Sequence, residues 1–199
     1  METPPALLQP IIALTGPARF PTEVVTEAFT RCELARGDYW LREGEICRKL
    51  VFLESGLLRY TQEHDGKLLT RWATLPGQFG LAFPSFIQRR PSAVAITAAE
   101  ASVVFELDRE RWLSLRKEHP QLQEFWVAVL EYNVCCFEDR VWSLIAGDGE
   151  DRYRYMLERY PEFLLALPQH FVADMLGVAP RHLSRIRGKL AGSGGDIGE

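Results

Sequence analysis

Four basic side chains, Arg181, Arg185, Arg187 and Lys189, fall between Met175 and Ala191, a stretch without a single Asp or Glu. Guanidinium and ammonium groups gathered in this way attract phosphate, and Arg can bond guanine O6 and N7 together. His182 and Ser184 sit among them, and Gln169 and His170 lie just upstream. The chain as a whole points the other way, with 23 Lys+Arg against 27 Asp+Glu and a formal net charge of −4. The local sign of the element that meets a phosphate outweighs the global one.

What positions these groups is a pair of helices. Pro168 suits a first helical turn, and the helix it opens runs to Leu176, where Gly177 supplies a left-handed turn. Val178 plugs the corner and Pro180 starts the second helix. At about 100° per residue, Leu183, Ile186 and Leu190 share one face with Ala179, while Arg181, Ser184, Arg185 and Gly188 centre the opposite one. Small Ala173 and Gly177 allow a close crossing, as in a helix-turn-helix. The second helix would enter a major groove, with Arg187 and Lys189 at its flanks facing phosphates and Arg181 and Arg185 nearer base edges. The plainer alternative is a helical hairpin with a solvated basic face.

Other chemistries find little support. Ser184 has no base at a meaningful spacing, there is no Gly-rich phosphate loop, and no carboxylate pair stands out, so no catalytic residue is assigned. Cys32, Cys47, Cys135 and Cys136 form no CxxC pair, and His170 and His182 lack further ligands, so no metal site is assigned. They read as buried free thiols, although adjacent Cys135 and Cys136 point about 100° apart on a helix, so that one can face a partner. A cupin-like enzyme would need several His on its strands, and His64 is the only histidine between Arg31 and Leu107. The five Trp (40, 72, 112, 126 and 142) read as core.

Upstream, Leu7–Phe29 carries two short helical patterns separated by Gly16-Pro17. From Arg31 to Leu107 turn signals recur every eight to twelve residues. They bound strands at Lys49–Glu54, Leu57–Gln62, Lys67–Thr74, Ala93–Ala98 and Ala101–Leu107, with Asp65-Gly66 the sharpest hairpin. Such spacing suggests a double-sheet jelly roll. Arg109–Glu118 is a short helix, and Pro120 opens a long one to about Leu144. In it Leu122, Phe125, Val129, Asn133 and Cys136 recur near heptad spacing, with Phe137, Val141 and Leu144 widening the stripe. The stripe predicts either a parallel dimer helix, with Asn133 fixing register, or packing on the β domain. Gly147-Asp148-Gly149 then breaks the chain, Glu150–Tyr160 forms a helix stopped by Pro161, and Gly192–Glu199 reads as a flexible tail. The expected class is α+β: a β domain with flanking helices over 1–118, a dimerisation helix over 119–146 and a helix-turn-helix domain over 147–199. No stretch has the length of a membrane span and the opening residues do not resemble a signal peptide, so a cytoplasmic homodimer on double-stranded DNA, with no membrane partner, is expected.

From Phe20 to Leu190 the layout resembles the CRP/FNR superfamily, most specifically at Val172–Arg187, where Leu176-Gly177-Val178 and Leu183-Ser184-Arg185 match its recurrent helix-turn-helix pattern. The resemblance implies a jelly-roll effector domain, a long dimer helix, a winged reading head, base contacts from positions 181, 182 and 185, and RNA polymerase as a candidate partner. It also places an effector pocket around Trp72, Phe79, Gly80, Leu81, Phe83, Arg90, Ser92 and Ala93. Two departures stand out: Gly192–Glu199 leaves no room for a terminal wing strand, and the pocket lacks its expected partners. Gln78-Phe79-Gly80-Leu81-Ala82-Phe83 has no carboxylate where the family has Gly-Glu-Leu, and Pro91 stands where an Arg precedes Ser-Ala. Arg89 and Arg90 are out of register. Losing the phosphate contact, about 1.5–3 kcal/mol, and a ribose bond of about 1 kcal/mol argues against tight cyclic AMP binding. The effector, if any, is then another small molecule. The rival reading is a sensor or protein-interaction module that has lost DNA binding.

Overall fold

A computed structural model describes residues 22–193 together with Leu7 and Gln9. The first of the two N-terminal helical patterns, apart from those two residues, and the tail beyond Ser193 lie outside the described residues. Helix α1 is Thr22–Ala28. Eight strands follow: β1 Thr30–Leu34, β2 Tyr39–Leu41, β3 Lys49–Ser55, β4 Leu58–His64, β5 Lys67–Thr74, β6 Phe79–Gly80, β7 Ala95–Ala98 and β8 Ser102–Asp108. They form two four-stranded sheets, ordered β1-β8-β3-β6 and β2-β7-β4-β5. Each half of the sequence alternates between the two sheets, which is a jelly roll, as its spacing predicts. The five expected strands are found with ends moved by two residues or fewer. Three more, β1, β2 and β6, go beyond the expectation; β2 and β6, of three and two residues, are too brief to show a period.

Asp65 and Gly66 both have positive φ, 51° and 72°, the geometry of the tight hairpin their types imply. Helix α2, Phe83–Gln88, was not foreseen; it closes with Arg89 in the left-handed region at φ 56°. Helix α3 is Arg109–Glu118 and α4 is Pro120–Ala146. Then come α5 Gly149–Arg159, α6 Pro161–Ala166, α7 Gln169–Leu176 and α8 Pro180–Ser193. Pro161 stops α5 as expected, but it also opens α6, since proline is well suited to a first turn. Gly192 and Ser193, expected in a tail, belong to α8, and the rest of that tail lies outside the described residues.

The contacts divide the chain into two compact units, one made of Met1–Gln62 and Trp72–Asn133, the other of Glu63–Arg71 and Val134–Glu199. In the first, the sandwich interior holds Phe52, Leu53, Leu58 and Ile96 at 0% exposure, and Leu115 and Leu122 complete it. An aromatic cluster sits there: Phe79 lies 5.2 Å from Phe52 and 5.8 Å from Phe125, centroid to centroid. Trp126 stacks on Phe83 at 6.2 Å and meets Trp112 edge-on at 5.8 Å.

In the second, the tip of the β4–β5 hairpin is bound to the helices. The Thr70 amide and hydroxyl both donate to Asp174 Oδ2, at 3.0 and 2.9 Å. Arg140 Nη2 donates to the carbonyls of Arg71 and Met175, at 3.2 and 3.1 Å. Burial pulls the Arg140 guanidinium below its usual pKa. Phe163, Val172 and Leu183, all nearly inaccessible, form this unit's core.

Candidate nucleic-acid interface

Helix α7 ends as its sequence demands. Gly177 adopts φ 64°, ψ 37° and its amide reaches back to Ala173 and Asp174 carbonyls; a residue bearing Cβ would be strained there. The Val178 amide bonds Ala173 O at 3.0 Å, turning the chain into α8. Leu183 and Ile186, at 0% and 4% exposure, are the inward face. Leu190 is half-buried, and Ala179, expected with them, is exposed because the turn lifts it off the core. A Cβ on Gly149 would lie 2.9 Å from Val178 Cγ1 and 3.5 Å from His182 Nε2. That glycine is what lets α5 approach α8 so closely, a role its place in the Gly147–Gly149 break did not reveal.

The four cations of α8 separate into two kinds. Arg181 and Arg185 are exposed and have no hydrogen-bond or ion-pair partner among the described residues. Arg187 is half-buried, its Nη2 donating to Leu164 O at 3.3 Å and its guanidinium 5.8 Å from the Tyr153 ring. Lys189 lies 2.6 Å from Glu150 Oε2, and Arg154 holds Glu150 Oε1 at 2.8 Å. Lys189 and then Arg154 hold the Glu150 carboxyl below its ordinary pKa. The two flanking cations assigned to phosphate therefore already have partners within the unit. The acid that answers Lys189 comes from α5, which is why a window on α8 alone looks acid-free.

Gln169 Nε2 donates to Ser184 Oγ at 2.6 Å, and Ser184 Oγ donates to Pro180 O at 3.1 Å. These two side chains brace the helix pair. His182 and His170 are exposed, and the His170 ring packs on Phe171 at 4.4 Å. A shallow cleft of about 280 Å³ is lined by Asp148, Gly149, Glu150, His182, Arg185, Ile186 and Lys189. At its edge Asp148 caps α5, accepting from the Glu150 and Asp151 amides at 2.7 and 3.0 Å. Asp148, Glu150 and Arg154 escaped sequence reasoning as part of this surface. A capping-box pattern at Asp148-x-x-Asp151 was the one local signal for the first of them.

On α4 the structure redistributes the expected seam. Leu122 and Phe125 are 0% and 5% exposed and belong to the subunit's own β-domain core, the alternative that the spacing had left open. Val129 is packed against the same core, Asn133 Nδ2 donates to its own helix at Val129 O, 2.7 Å, and Cys136 is half-buried. The apolar surface left outward is shifted by one residue, about 100° around the helix. Val127, Val134, Phe137, Val141 and Leu144 are 40%, 62%, 54%, 54% and 44% exposed, with half-buried Leu130 completing a 3–4–3–4–3 spacing. Trp142 is 69% exposed, unlike the buried Trp112 and Trp126, so it is not the core residue that its type suggests. Cys47 is buried, Cys32 half-buried and Cys135 exposed.

The expected effector residues cluster at β6, α2 and the turn before β7, and most are turned to internal use. Gly80 and Leu81 are buried, Phe79 and Phe83 lie in the aromatic cluster, Trp72 is half-buried, and Arg90 and Ala93 face outward. Ser92 is 4% exposed; its hydroxyl donates to Val94 O at 2.8 Å and its amide to Glu45 O at 2.8 Å. Among the described residues no group of His, Cys, Asp or Glu could hold a metal ion, and no helix is long and apolar enough to cross a membrane.

Comparison with known proteins places this geometry. The cyclic nucleotide-binding domain family matches residues 31–119. No curated protein sequence matches the chain. Among solved structures, a CooA variant from Carboxydothermus hydrogenoformans is 14% identical over 97% of this chain and 88% of its own, with a TM-score of 0.73. FixK2 from Bradyrhizobium japonicum is 18% identical over 83% and 86%, TM-score 0.69. The c-di-GMP responsive global regulator CLP of Xanthomonas campestris is 18% identical over 87% and 91%, TM-score 0.65. Residues 31–119 thus match the cyclic nucleotide-binding domain family, and the chain shares the fold of these solved regulators.

Proposed function

We propose that this protein is a transcription regulator that binds a pseudo-palindromic operator in double-stranded DNA as a homodimer, with α8 as its reading helix. The observation that carries this is the state of Arg181 and Arg185. Both are held outward on a helix whose other face is locked by Leu183 and Ile186, and neither is engaged within its unit. Arg181, His182 and Arg185 are the base-reading side chains. Lys189, and Arg187 if it leaves Leu164, add phosphate contacts, His170 adds one at the edge, and Gln169 with Ser184 fixes the approach. Two such helices presented about 34–36 Å apart would read half-sites one turn apart.

The dimer forms along Val127, Leu130, Val134, Phe137, Val141 and Leu144. Alone, the chain leaves all of these exposed except Leu130, which packs on the β-domain core, and a parallel copy covers them by knobs-into-holes packing. The β domain lacks the carboxylate and the arginine that a cyclic nucleotide would need, so cyclic AMP is not its tight ligand. The setting is cytoplasmic, and RNA polymerase is the further partner that such a regulator would contact.

The test is selection of bound duplexes from a random pool by the full chain, followed by a mobility shift across a salt series. Expected are a two-fold-related consensus and a log K that falls linearly with log salt. An R181A/R185A variant that selects the same consensus would refute the base-reading assignment. Indifference of the wild-type protein to any duplex at low salt would refute the function.

A further inference from the structure

The β domain's bare backbone at Gly80 is not open. A Cβ placed there would collide with Tyr60 Oη and would lie 2.7 Å from Thr74 Oγ1 and 3.3 Å from Val51 Cγ1. The Tyr60 and Thr74 hydroxyls bond each other at 3.0 Å, and Tyr60 is only 7% exposed. Its hydroxyl also engages the backbone of Leu81, and burial pushes its pKa up, so it stays a neutral phenol. The neighbouring polar groups are closed in the same way. The Ser92 amide is bound to Glu45 O, its hydroxyl donates to Val94 O and accepts from Val94 N, and the Ser85 hydroxyl ties the Cys47 amide to Arg90 O. The cations that could meet an anion here, Arg89 and Arg90, face outward.

We infer that Tyr60 acts as a built-in ligand: its phenol fills the space over Gly80 and satisfies the donors beside it, so the regulator works without a cyclic nucleotide. This rests on the DNA-binding reading above and specifies its regulation. A ligand entering at Gly80 would have to expel a buried ring and break the hydrogen bonds of Tyr60 without restoring them. Position 60, in the sandwich core with Leu58 of the same strand, thus replaces effector control by covalent attachment of the occupant.

The experiment uses the full chain and three probes: cyclic AMP, cyclic GMP and p-cresol, the tyrosine side chain as a free molecule. For the wild type, 1 mM of either nucleotide is expected to shift Tm by less than about 1 °C and operator Kd by less than about twofold, whereas a ligand at a hundred times its Kd would raise Tm by roughly 5–10 °C. Tyr60→Ala should unfold at lower temperature and bind the operator more weakly, and p-cresol should restore both without affecting the wild type. Tyr60→Phe keeps the ring and loses only the hydroxyl, so it should fold and melt about 2–4 °C lower. A nucleotide-induced rise of several degrees in the wild type overturns the proposal. So does a Tyr60→Phe variant that melts like the wild type, an arm that stands even where Tyr60→Ala fails to fold. If no duplex binds wild-type protein at low salt, the DNA reading falls while the melting arms still decide whether Tyr60 closes the domain.

Discussion

At β6 and the turn before β7, polar atoms and aromatic rings answer one another: Tyr60 with Thr74, Ser92 with Val94, Phe79 with Phe52 and Phe125. On α8 the two arginines nearest its start answer nothing in their own unit. Both regions belong to the part of the sequence where a family resemblance points to a binding role, yet only one keeps its donors available. A desolvated group that is already hydrogen-bonded gives little to a newcomer, because the newcomer must first break what it replaces. An exposed guanidinium gives up only water. Availability of donors, more than residue type, separates a surface that can take a new partner from one already closed on itself.

The sharpest way to break that contrast is to remove the available donors. Arg181→Ala with Arg185→Ala should cost about 1–3 kcal/mol per contact in discrimination between operator and random duplex, a combined loss of roughly thirtyfold or more measured by competition mobility shift. Retained discrimination would mean that α8 is as self-engaged as the β domain. Next comes the support of that face. Leu183→Ala, at a position with 0% exposure, should destabilise the reading unit by about 2–5 kcal/mol in urea unfolding. A much smaller cost would mean that α8 is not locked. Gly177→Ala places Cβ at φ 64° and should cost about 1–2 kcal/mol, with DNA affinity falling only through loss of folded protein.

Two smaller effects sharpen the comparison around α8. Lys189→Gln should lower the salt slope of binding by about one if Lys189 leaves Glu150 for a phosphate; an unchanged slope would class it with the internally engaged groups. Asp148 is held below the ordinary carboxylate range by the amides of Asp151 and Glu150, and Glu150 by Lys189 and Arg154. A folded-state pKa below the unfolded value adds stability above that value and loses it as pH falls through the folded one. The acid limb of a pH–stability profile, below the unpaired values of 3.8 and 4.5, should therefore flatten in Asp148→Asn, with stability at pH 7 reduced and the difference from the wild type narrowing as pH falls.

Much of this architecture is written in short-range pattern. Asp65-Gly66, Gly177 and the prolines at 120, 161 and 180 mark turns and helix starts because each limits or permits a backbone angle locally. The inward pair Leu183 and Ile186 follows from helical periodicity. The strands β2 and β6 escape because two or three residues carry no readable period. The exposed apolar stripe on α4 lies one residue from the expected seam, since two apolar stripes share that helix. Which of them meets the β domain depends on Phe79 and Trp112, far away in sequence.

By itself, the sequence determined the order of elements, the jelly roll followed by a helix-turn-helix, and the identity of the outward arginines, all of which rest on interactions within a few residues. Only the tertiary structure decided which polar groups remain available. It brought Glu150 to Lys189, Tyr60 to Gly80, and Asp174 to Thr70 across 104 positions. Hydrogen bonds and close packing are settled at distances of about 3–4 Å, and separation along the chain carries no record of them.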